Sequence, residues 1–469
     1  MMRSSSSWLV RLGTLALVLA FLSGCGPFST PTPTFIPPNP PIPSQPTGTP
    51  PSAAGQSDQG QIVQSQLERL SATAVPQADL SALVQGNSDF AMALYQQLRN
   101  GSGNLSFSPF SISLALGMTY GGASNETAAQ MAETLHYTLP EARLNPAMNL
   151  LDQTLASYAG AAGSPASTAT PTSQGFQLDL ANAIWGQAGI SFLPVYLDLL
   201  AQDYGAGIHV ANFELAPENA RQVINQWVQQ QTQGKITNLF PPGAIDTATR
   251  LVLANAIYFK AGWQDPFDPK STQPGPFYLT NGSSVQVPMM NSGEETYYPY
   301  AQGDGYQAIE LPYQTSPVVM LIVMPSSGTF SNFEAGLNDT QLNSILAGLN
   351  SQHVNLSLPK YKIESTFDLS STLAAMGMKD AFNASQADFS GMDGRHDLYI
   401  SDVMHKDYVS VDEQGTEAAA ATGVAMSAAA VFNPASTLKI TIDHPFLFFI
   451  VDSQTGTILF LGRVLNPAG

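Results

Sequence analysis

The chain has 469 residues, enough for one large domain or two ordinary ones, and its hydrophobic content of 44% supports a large core. The formal net charge is -18 and no basic stretch stands out, which excludes nucleic acid and anionic lipid headgroups as expected partners. Cys25 is the only cysteine, so no intramolecular disulfide can form and the fold must rest on its core.

The N-terminus has the pattern of an export signal. Arg3 and Arg11 flank a serine-rich stretch, and the apolar run at residues 12–22 is too short to span a membrane. The motif L-S-G-C that ends at Cys25 resembles a bacterial lipoprotein box, whose cysteine becomes the lipidated first residue of the mature chain. We therefore expect residues 1–24 to be a signal peptide and the protein to be exported and lipid-anchored through Cys25 to the bacterial cell surface or the extracytoplasmic membrane face. The alternative is an ordinary cleaved signal followed by a free thiol.

Residues 25–78 form the next region, a Pro/Thr-rich tether and a transition. Eleven prolines lie between Pro27 and Pro51, and proline fixes φ, so an extended spacer is expected. At ~3.1 Å per residue it could hold a domain up to about 75 Å from a membrane. The alternative is a disordered tail without a role. Within the transition we expect a short helix at residues 62–70.

The globular domain is expected at residues 79–469. Phe90 and Leu94 share a helical face after Asn87 and Ser88, which are the expected cap of a first helix. Further helices are expected at residues 108–118, 124–135 and 221–233. Apolar or alternating runs predict strands at residues 176–184, 251–260, 318–324, 354–358 and 408–412, and a hairpin at residues 446–451 and 457–461. Helices dominate the first half and strands the second, which predicts an α+β fold.

The motif E-Q-G-T-E-A-A-A-A that begins at Glu413 interrupts this pattern. It separates the strand at residues 408–412 from another expected at residues 437–442. Alanine is a weak strand former and offers little area to bury. A loop of about 20 residues inside a compact domain is usually functional.

The sequence contains no recognisable catalytic motif. It lacks G-x-S-x-G, H-E-x-x-H and a P-loop, and its six histidines have no metal-ligand spacing. His396 and Asp397 are interpreted as a surface pair rather than a metal site. We expect no enzyme activity, no cofactor and no metal.

Several segments together resemble the serpin family of protease inhibitors over roughly residues 80–469. In chain order they are N-L-S-F-S-P-F-S-I-S from Asn104, N-Q-W-V from Asn225, T-Q-G-K-I from Thr232, L-A-N-A-I-Y-F-K-A-G-W from Leu253, the stretch from His405 to the alanine run, and I-T-I-D-H-P-F-L-F-F-I from Ile440. The resemblance implies the serpin fold, with helices, three β-sheets and an exposed reactive-centre loop.

The resemblance also implies a function, inhibition of serine proteases as a suicide substrate. A protease cleaves the loop and is held as a covalent complex while the loop inserts into the main sheet as an extra strand. Family spacing, seventeen residues from Glu413, puts the cleaved bond between Ala429 and Ala430. No Arg or Lys lies nearby, so elastase-like or subtilisin-like proteases are the expected targets. The hinge would consist of Glu413, Gly415, Thr416, Glu417, Ala418, Ala419, Ala420 and Ala421.

Strand periodicity assigns faces to an inserted loop. The buried face would carry Thr416, Ala418, Ala420, Thr422, Val424 and Met426. The solvent face would begin with Glu417, the only charged residue of the two sets, and Gly415 would let the hinge bend.

Other positions match structural features of the family. Ser108, Ser111, Asn255 and His405 correspond to the shutter, a polar cluster beneath the sheet, and Trp263 to the breach, where insertion begins. The segment between residues 145 and 173 lacks a basic cluster, so no heparin-like activator is expected. We expect a monomer.

Two other classes of function remain open. One is a non-inhibitory serpin that acts as a binding or chaperone protein at the cell surface, against which the small-residue hinge argues. The other is a generic surface lipoprotein, such as an adhesin or solute-binding protein, which would leave the hinge and the C-terminal matches unexplained.

Overall fold

The computed structural model describes residues 60–71, 75–161, 176–293, 296–417 and 437–469, which fold as α-helices around two hydrogen-bonded sheets. The expected α+β class is therefore confirmed. None of the helices in these ranges has both the length and the apolarity needed to cross a membrane.

The α-helices are α1 (Gln77–Leu98), α2 (Pro109–Tyr120), α3 (Asn125–Thr134), α4 (Glu141–Ala161), α5 (Pro194–Leu199), α6 (Pro217–Gln231), α7 (Phe330–Ala335), α8 (Asp339–Ala347), α9 (Ser370–Met376) and α10 (Ser390–Asp393). The strands are β1 (Gln61–Val63), β2 (Leu105–Phe107), β3 (Gln177–Gln187), β4 (Ile208–Ala211), β5 (Leu251–Gly262), β6 (Gln273–Tyr278), β7 (Ser284–Asn291), β8 (Thr296–Gly303), β9 (Tyr306–Pro312), β10 (Val318–Pro325), β11 (Asn350–Pro359), β12 (Tyr361–Asp368), β13 (Ile400–Asp412), β14 (Gly415–Thr416), β15 (Leu438–Thr441), β16 (Phe446–Asp452) and β17 (Thr457–Val464). A π-helical turn at Leu200–Tyr204 and 3₁₀ turns at Pro269–Ser271 and Asp380–Phe382 complete the regular structure of the described residues.

The first sheet has seven strands in the order β1-β4-β3-β5-β14-β13-β12. The second has ten, in the order β2-β17-β16-β10-β9-β8-β11-β7-β6, with β15 added to β11. β11 pairs with β8 through its first half and with β7 and β15 through its second half. The third sheet implied by the resemblance is thus continuous with the second through β11.

Helix α2 is the central helix of the core. Residues 109–119 are all buried, which suits an apolar helix that contacts strands of both sheets, β3, β5 and β17. Ser108 caps it, because its hydroxyl accepts a hydrogen bond from the backbone N–H of Ser111, and Pro109 occupies the first helical position. On the other face of the first sheet, α6 packs through Ala220, Ile224 and Val228.

The expected cap of the first helix was wrong. Helix α1 begins at Gln77, ten residues earlier, and Asn87 and Ser88 are buried in its middle. Leu83 and Val84 continue the apolar face of Phe90 toward the N-terminus. Burial of this longer face outweighs the weak helix propensity of two polar residues.

The short helix expected at residues 62–70 is also absent. Gln61–Val63 instead forms β1, which pairs antiparallel with β4 and lies at the edge of the first sheet. An edge strand offers unpaired backbone groups, and this segment satisfies them. Arg69 secures the end of the segment through Asn149, at 2.8 Å, and Asp152, at 2.6 Å.

Candidate functional site

The first residues of the predicted hinge form a strand inside the first sheet. β5 and β13 pair directly, in parallel, from Leu251 and Ile400 to Tyr258 and Tyr408. Beyond that level the two strands separate, and β14 lies between them, antiparallel to both. Thr416 is opposite Ala261 on β5 and Val411 on β13. The seam between β5 and β13 is therefore already open at one end and occupied by two residues of the hinge.

Gly415 and Thr416 fit this position for steric and polar reasons. A Cβ on Gly415 would lie 2.1 Å from the carbonyl oxygen of Ala261, so only glycine fits there without a backbone shift. The side chain of Thr416 is fully buried and its hydroxyl is 2.5 Å from that of Tyr313. Burial raises the pKa of Tyr313 far above its usual value, so the phenol stays neutral.

Trp263 lies at the entrance to the seam. Its ring stacks on Tyr313, with centroids 4.6 Å apart and planes 13° apart. Its indole N–H donates to the carbonyl oxygen of Asp412 at 2.9 Å, and its backbone N–H donates to that of Gln414 at 2.8 Å. The residue expected at the breach thus holds the turn that leads into β14.

Two carboxylates hold the ends of the described hinge. Glu413 is buried and accepts hydrogen bonds from Lys360 at 2.7 Å and Thr272 at 2.8 Å. Burial acts to raise its pKa, but these hydrogen bonds outweigh it and leave the pKa below its usual value. Glu417 forms an ion pair with Lys235.

Glu417 differs from the expectation of a solvent-facing side chain. Its side chain is only 12% exposed, and the backbone carries a positive φ of 48°. Lys235 covers it and also lies 5.8 Å from the ring centroid of Tyr258. At this level of the sheet the outer face is covered by protein, which strand periodicity alone could not indicate.

The four residues expected at the shutter are brought together beneath the sheet. His405 accepts at Nε2 from the backbone N–H of Ser108 at 3.2 Å, and its Nδ1 faces Oδ1 of Asn255. The amide of Asn255 donates to the carbonyl oxygen and the hydroxyl of Ser111, both at 2.8 Å. Burial lowers the pKa of His405 to about 3, so the ring is neutral, with its proton on Nδ1. This network joins α2 to the two strands that form the seam.

Asn182 is a member of this cluster that sequence reasoning missed. It lies on β3 directly opposite Asn255, and its Oδ1 accepts from the hydroxyl of Ser111 at 3.0 Å. The available signal was a polar residue at an inward position of a strand whose neighbouring residues are apolar. Asn182 is only partly buried, but a polar side chain that faces the core still needs a partner.

The remaining predicted positions lie outside the described residues. They are Cys25, Ala418, Ala419, Ala420, Ala421, Ala429 and Ala430. Among the residues that the structure describes, no group of three or more His, Cys, Asp or Glu side chains could hold a metal ion.

Comparison with known proteins gives a consistent result. A family model described as Serpin (serine protease inhibitor) matches residues 85–467. An uncharacterized serpin-like protein of Thermococcus kodakarensis is 38% identical over 388 residues, covering 82% of this chain and 86% of its own length. The human leukocyte elastase inhibitor is 37% identical over 402 residues, covering 83% of this chain and all of its own. The crystal structure of tengpin, a thermophilic serpin in its native state, aligns with a TM-score of 0.74 at 28% identity and covers 87% of this chain and all of its own.

Proposed function

The chain belongs to the serpin family of protease inhibitors, and from this premise we propose that it is a suicide-substrate inhibitor of elastase-like or subtilisin-like serine proteases. The observation that carries the proposal is β14, whose two residues lie between β5 and β13 with the side chain of Thr416 fully buried. The hinge thus begins along the path that loop insertion requires.

The chemical step belongs to the protease. Its serine Oγ attacks the carbonyl carbon of Ala429, the bond to the nitrogen of Ala430 breaks, and that nitrogen leaves as an amine with the proton taken from the serine. Ala429 is then held as an ester on the protease. The cut frees the loop to continue into the sheet before water hydrolyses the ester.

The register of β14 supports a path for the proposed insertion. If both pairings of Thr416 continue, Ala418 lies between Phe259 and Val409, and Ala420 lies between Ile257 and Asp407. These inward positions accept small apolar side chains at little desolvation cost. The same register supports the assignment of the alternating residues from Thr416 onward to the buried face.

The shutter lies farther along the same path. If the register continues, Thr422 lies between Asn255 and His405. Before insertion the side chains of Asn255 and His405 face each other. Insertion must separate this pair, and the hydroxyl of Thr422 can donate and accept in its place. The polar cluster therefore loses no hydrogen-bonding capacity when the seam opens.

The proposed class of target depends on the residues at the cleaved bond. Ala429 and Ala430 are small and uncharged, which suits a shallow protease pocket and offers nothing to an anionic one. A 37% identical relative is named for inhibition of leukocyte elastase, which is consistent with this choice.

Incubation with elastase, subtilisin and trypsin tests the proposal. We expect an SDS-stable complex with elastase or subtilisin, release of a C-terminal fragment that mass spectrometry shows to begin at Ala430, and no complex with trypsin. The variant Ala429→Arg is the matched control and should trap trypsin instead. Clean cleavage without a complex in every case would contradict inhibition and favour a non-inhibitory binding or chaperone role.

We also propose that the mature protein is anchored to a membrane by a lipid on Cys25 and held away from it by the proline-rich tether. The L-S-G-C motif supports this proposal. Expression in a bacterium that processes lipoproteins should place the protein in the membrane fraction, and Cys25→Ser should release it. Equal membrane association of both forms would contradict the anchor.

A further inference from the structure

Asp407 is a buried acid on the seam between β5 and β13. It lies on β13 two residues after His405, opposite Ile257 of β5 and Ser365 of β12, and its side chain is fully buried. Among the described residues, neither carboxylate oxygen has a partner with hydrogen-bond geometry, and the hydroxyl of the adjacent Ser106 has none either. An unpartnered buried acid destabilises the arrangement that encloses it.

Within the part of the chain that the structure describes, no cation pairs with Asp407. The nearest charged side chains of β12 and β13 are Glu364 and Lys406, which occupy the opposite face of the sheet and pair with each other at 2.8 Å. The groups that share its face are the hydroxyls of Ser106 and Ser365 and the ring of His405, which is neutral because burial lowers its pKa to about 3.

Burial is the main cause that raises the pKa of Asp407, to about 7. The nearby hydroxyl of Ser106 and the backbone N–H groups of Ser365 and Asp407 reduce this rise in part, although none of them reaches hydrogen-bond geometry at the carboxylate. The negative charge of Glu364 adds to the rise. The acid therefore changes charge near neutral pH while the seam is closed.

Insertion would change the surroundings of Asp407. In the closed seam its neighbour on β5 is Ile257, whereas in the register of β14 the neighbour becomes Ala420. Replacing a branched side chain by a methyl group, and parting the strands to admit it, leaves space for water beside the carboxylate. The ionised acid is thus better tolerated in the open seam than in the closed one.

We propose that Asp407 controls the rate at which the sheet opens between β5 and β13, and that its ionisation makes opening faster at higher pH. The inference rests on the proposed function, since it requires a strand to enter this seam.

The direction follows from proton linkage. The pKa of Asp407 is raised in the closed seam and lies closer to the ordinary value of 3.8 when the seam is open. The closed form therefore has its full stability at a pH below the pKa that Asp407 has in the open seam. It loses stability as the pH rises through about 7, the pKa in the closed seam. Since the ionised fraction rises from about one tenth at pH 6 to about nine tenths at pH 8, opening that requires the ion accelerates up to about tenfold.

Uptake of a synthetic peptide with the sequence of residues 416–426 tests this without any protease. Its rate is followed on native gels at pH 6 and pH 8 for the full chain, Asp407→Asn and the control Asp402→Asn. Asp402 also lies on β13 and has a raised pKa of about 6, but it is on the opposite face and only half-buried. We expect about tenfold faster uptake at pH 8 for the unmodified chain and for Asp402→Asn, and less than a twofold change for Asp407→Asn.

Urea unfolding supplies a second measurement. The midpoint of the unmodified chain should fall between pH 6 and pH 8, while those of Asp407→Asn and Asp407→Ser should fall much less, because only the smaller contribution of Asp402 remains. A fall in the unfolding midpoint that is as large in the Asp407 variants as in the unmodified chain, or no fall in the unmodified chain, would overturn the inference. Uptake without a pH step would overturn the inference alone, whereas no uptake at either pH would overturn the proposed insertion as well.

Discussion

Thr416 is the residue at which the described hinge has already entered the sheet. Because its side chain is fully buried against Tyr313, a charged replacement would bring an unpaired carboxylate into the core. We predict that Thr416→Glu disfavours this position by about 2–5 kcal/mol and converts the protein from inhibitor to substrate. Densitometry of SDS-stable complex against cleaved product measures the change.

The matched control for that variant is Glu417→Gln. Glu417 is the next residue and pairs with Lys235 on the outer face. Glutamine keeps the size of this side chain and an oxygen that accepts from Lys235, so the variant should keep most of the complex yield. An undiminished yield of complex from Thr416→Glu would contradict the importance of the buried position.

Glu413 is the second residue on which the hinge depends. It pairs with Lys360 while largely buried, so Glu413→Lys would place two cations together and lower the free energy of unfolding by about 2–4 kcal/mol. Reversing both charges, as Glu413→Lys with Lys360→Glu, should recover most of the loss. Urea unfolding at pH 7 checks both; equal stability of the single and double variants would argue against the pair.

The same pair predicts a response to acid. Since the pKa of Glu413 is below the ordinary value of 4.5, its contribution is complete above that pH and is lost as the pH falls through the folded-state value. The difference in unfolding midpoint between the unmodified chain and Glu413→Gln should therefore shrink below pH 4.5.

At the scale of elements, strands that are buried on both faces were the easiest to predict. The run at residues 318–324 became β10, and the hairpin became β16 and β17 with nearly the same limits, because continuous apolar runs leave few alternatives. The first residue of α1 and the membership of Asn182 in the shutter cluster were harder to predict. Both depend on which residues pack against, or hydrogen-bond to, a polar side chain. Such partners come from distant parts of the chain, so local patterns could not identify them.

β14 was predicted in part. The small residues and Gly415 indicated a hinge that enters a sheet, and the family resemblance supplied the location. The pairing of Lys235 with Glu417 could not be anticipated, because these two residues are 182 positions apart.

β1 is an element that lies before the residues matched by the family model. A chain that begins at Val75 would expose the edge of β4 and lose the contacts of Arg69 with α4. We predict a loss of about 2–4 kcal/mol in the free energy of unfolding, from several backbone and charge-assisted hydrogen bonds. The variant Arg69→Ala should lose only the smaller share of this free energy, which comes from the hydrogen bonds of its side chain. Unfolding midpoints equal to that of the full chain would show that the segment does not contribute.

At the scale of the whole molecule, the proposed insertion requires that the uncut protein is not in its most stable arrangement. A complete inserted strand would add ladder hydrogen bonds along β5 and β13, each worth about 1 kcal/mol. We predict that a single cut at Ala429 raises the melting temperature by about 10–20 °C. Scanning calorimetry of cut and uncut protein measures this, with Thr416→Glu as the control that should gain much less.

The two residues of β14 have a consequence for kinetics. The first residues of a new strand lose conformational entropy before their contacts can compensate for the loss. In this protein the first pairings already exist in the uncut chain. Under the proposed mechanism, insertion and hydrolysis would be two competing first-order reactions of one intermediate, the ester. The share of protease that is captured equals the insertion rate divided by the sum of both rates, and it is the same at every concentration of either protein. The captured share would then depend on how fast the seam between β5 and β13 admits the loop, and not on the amount of inhibitor present.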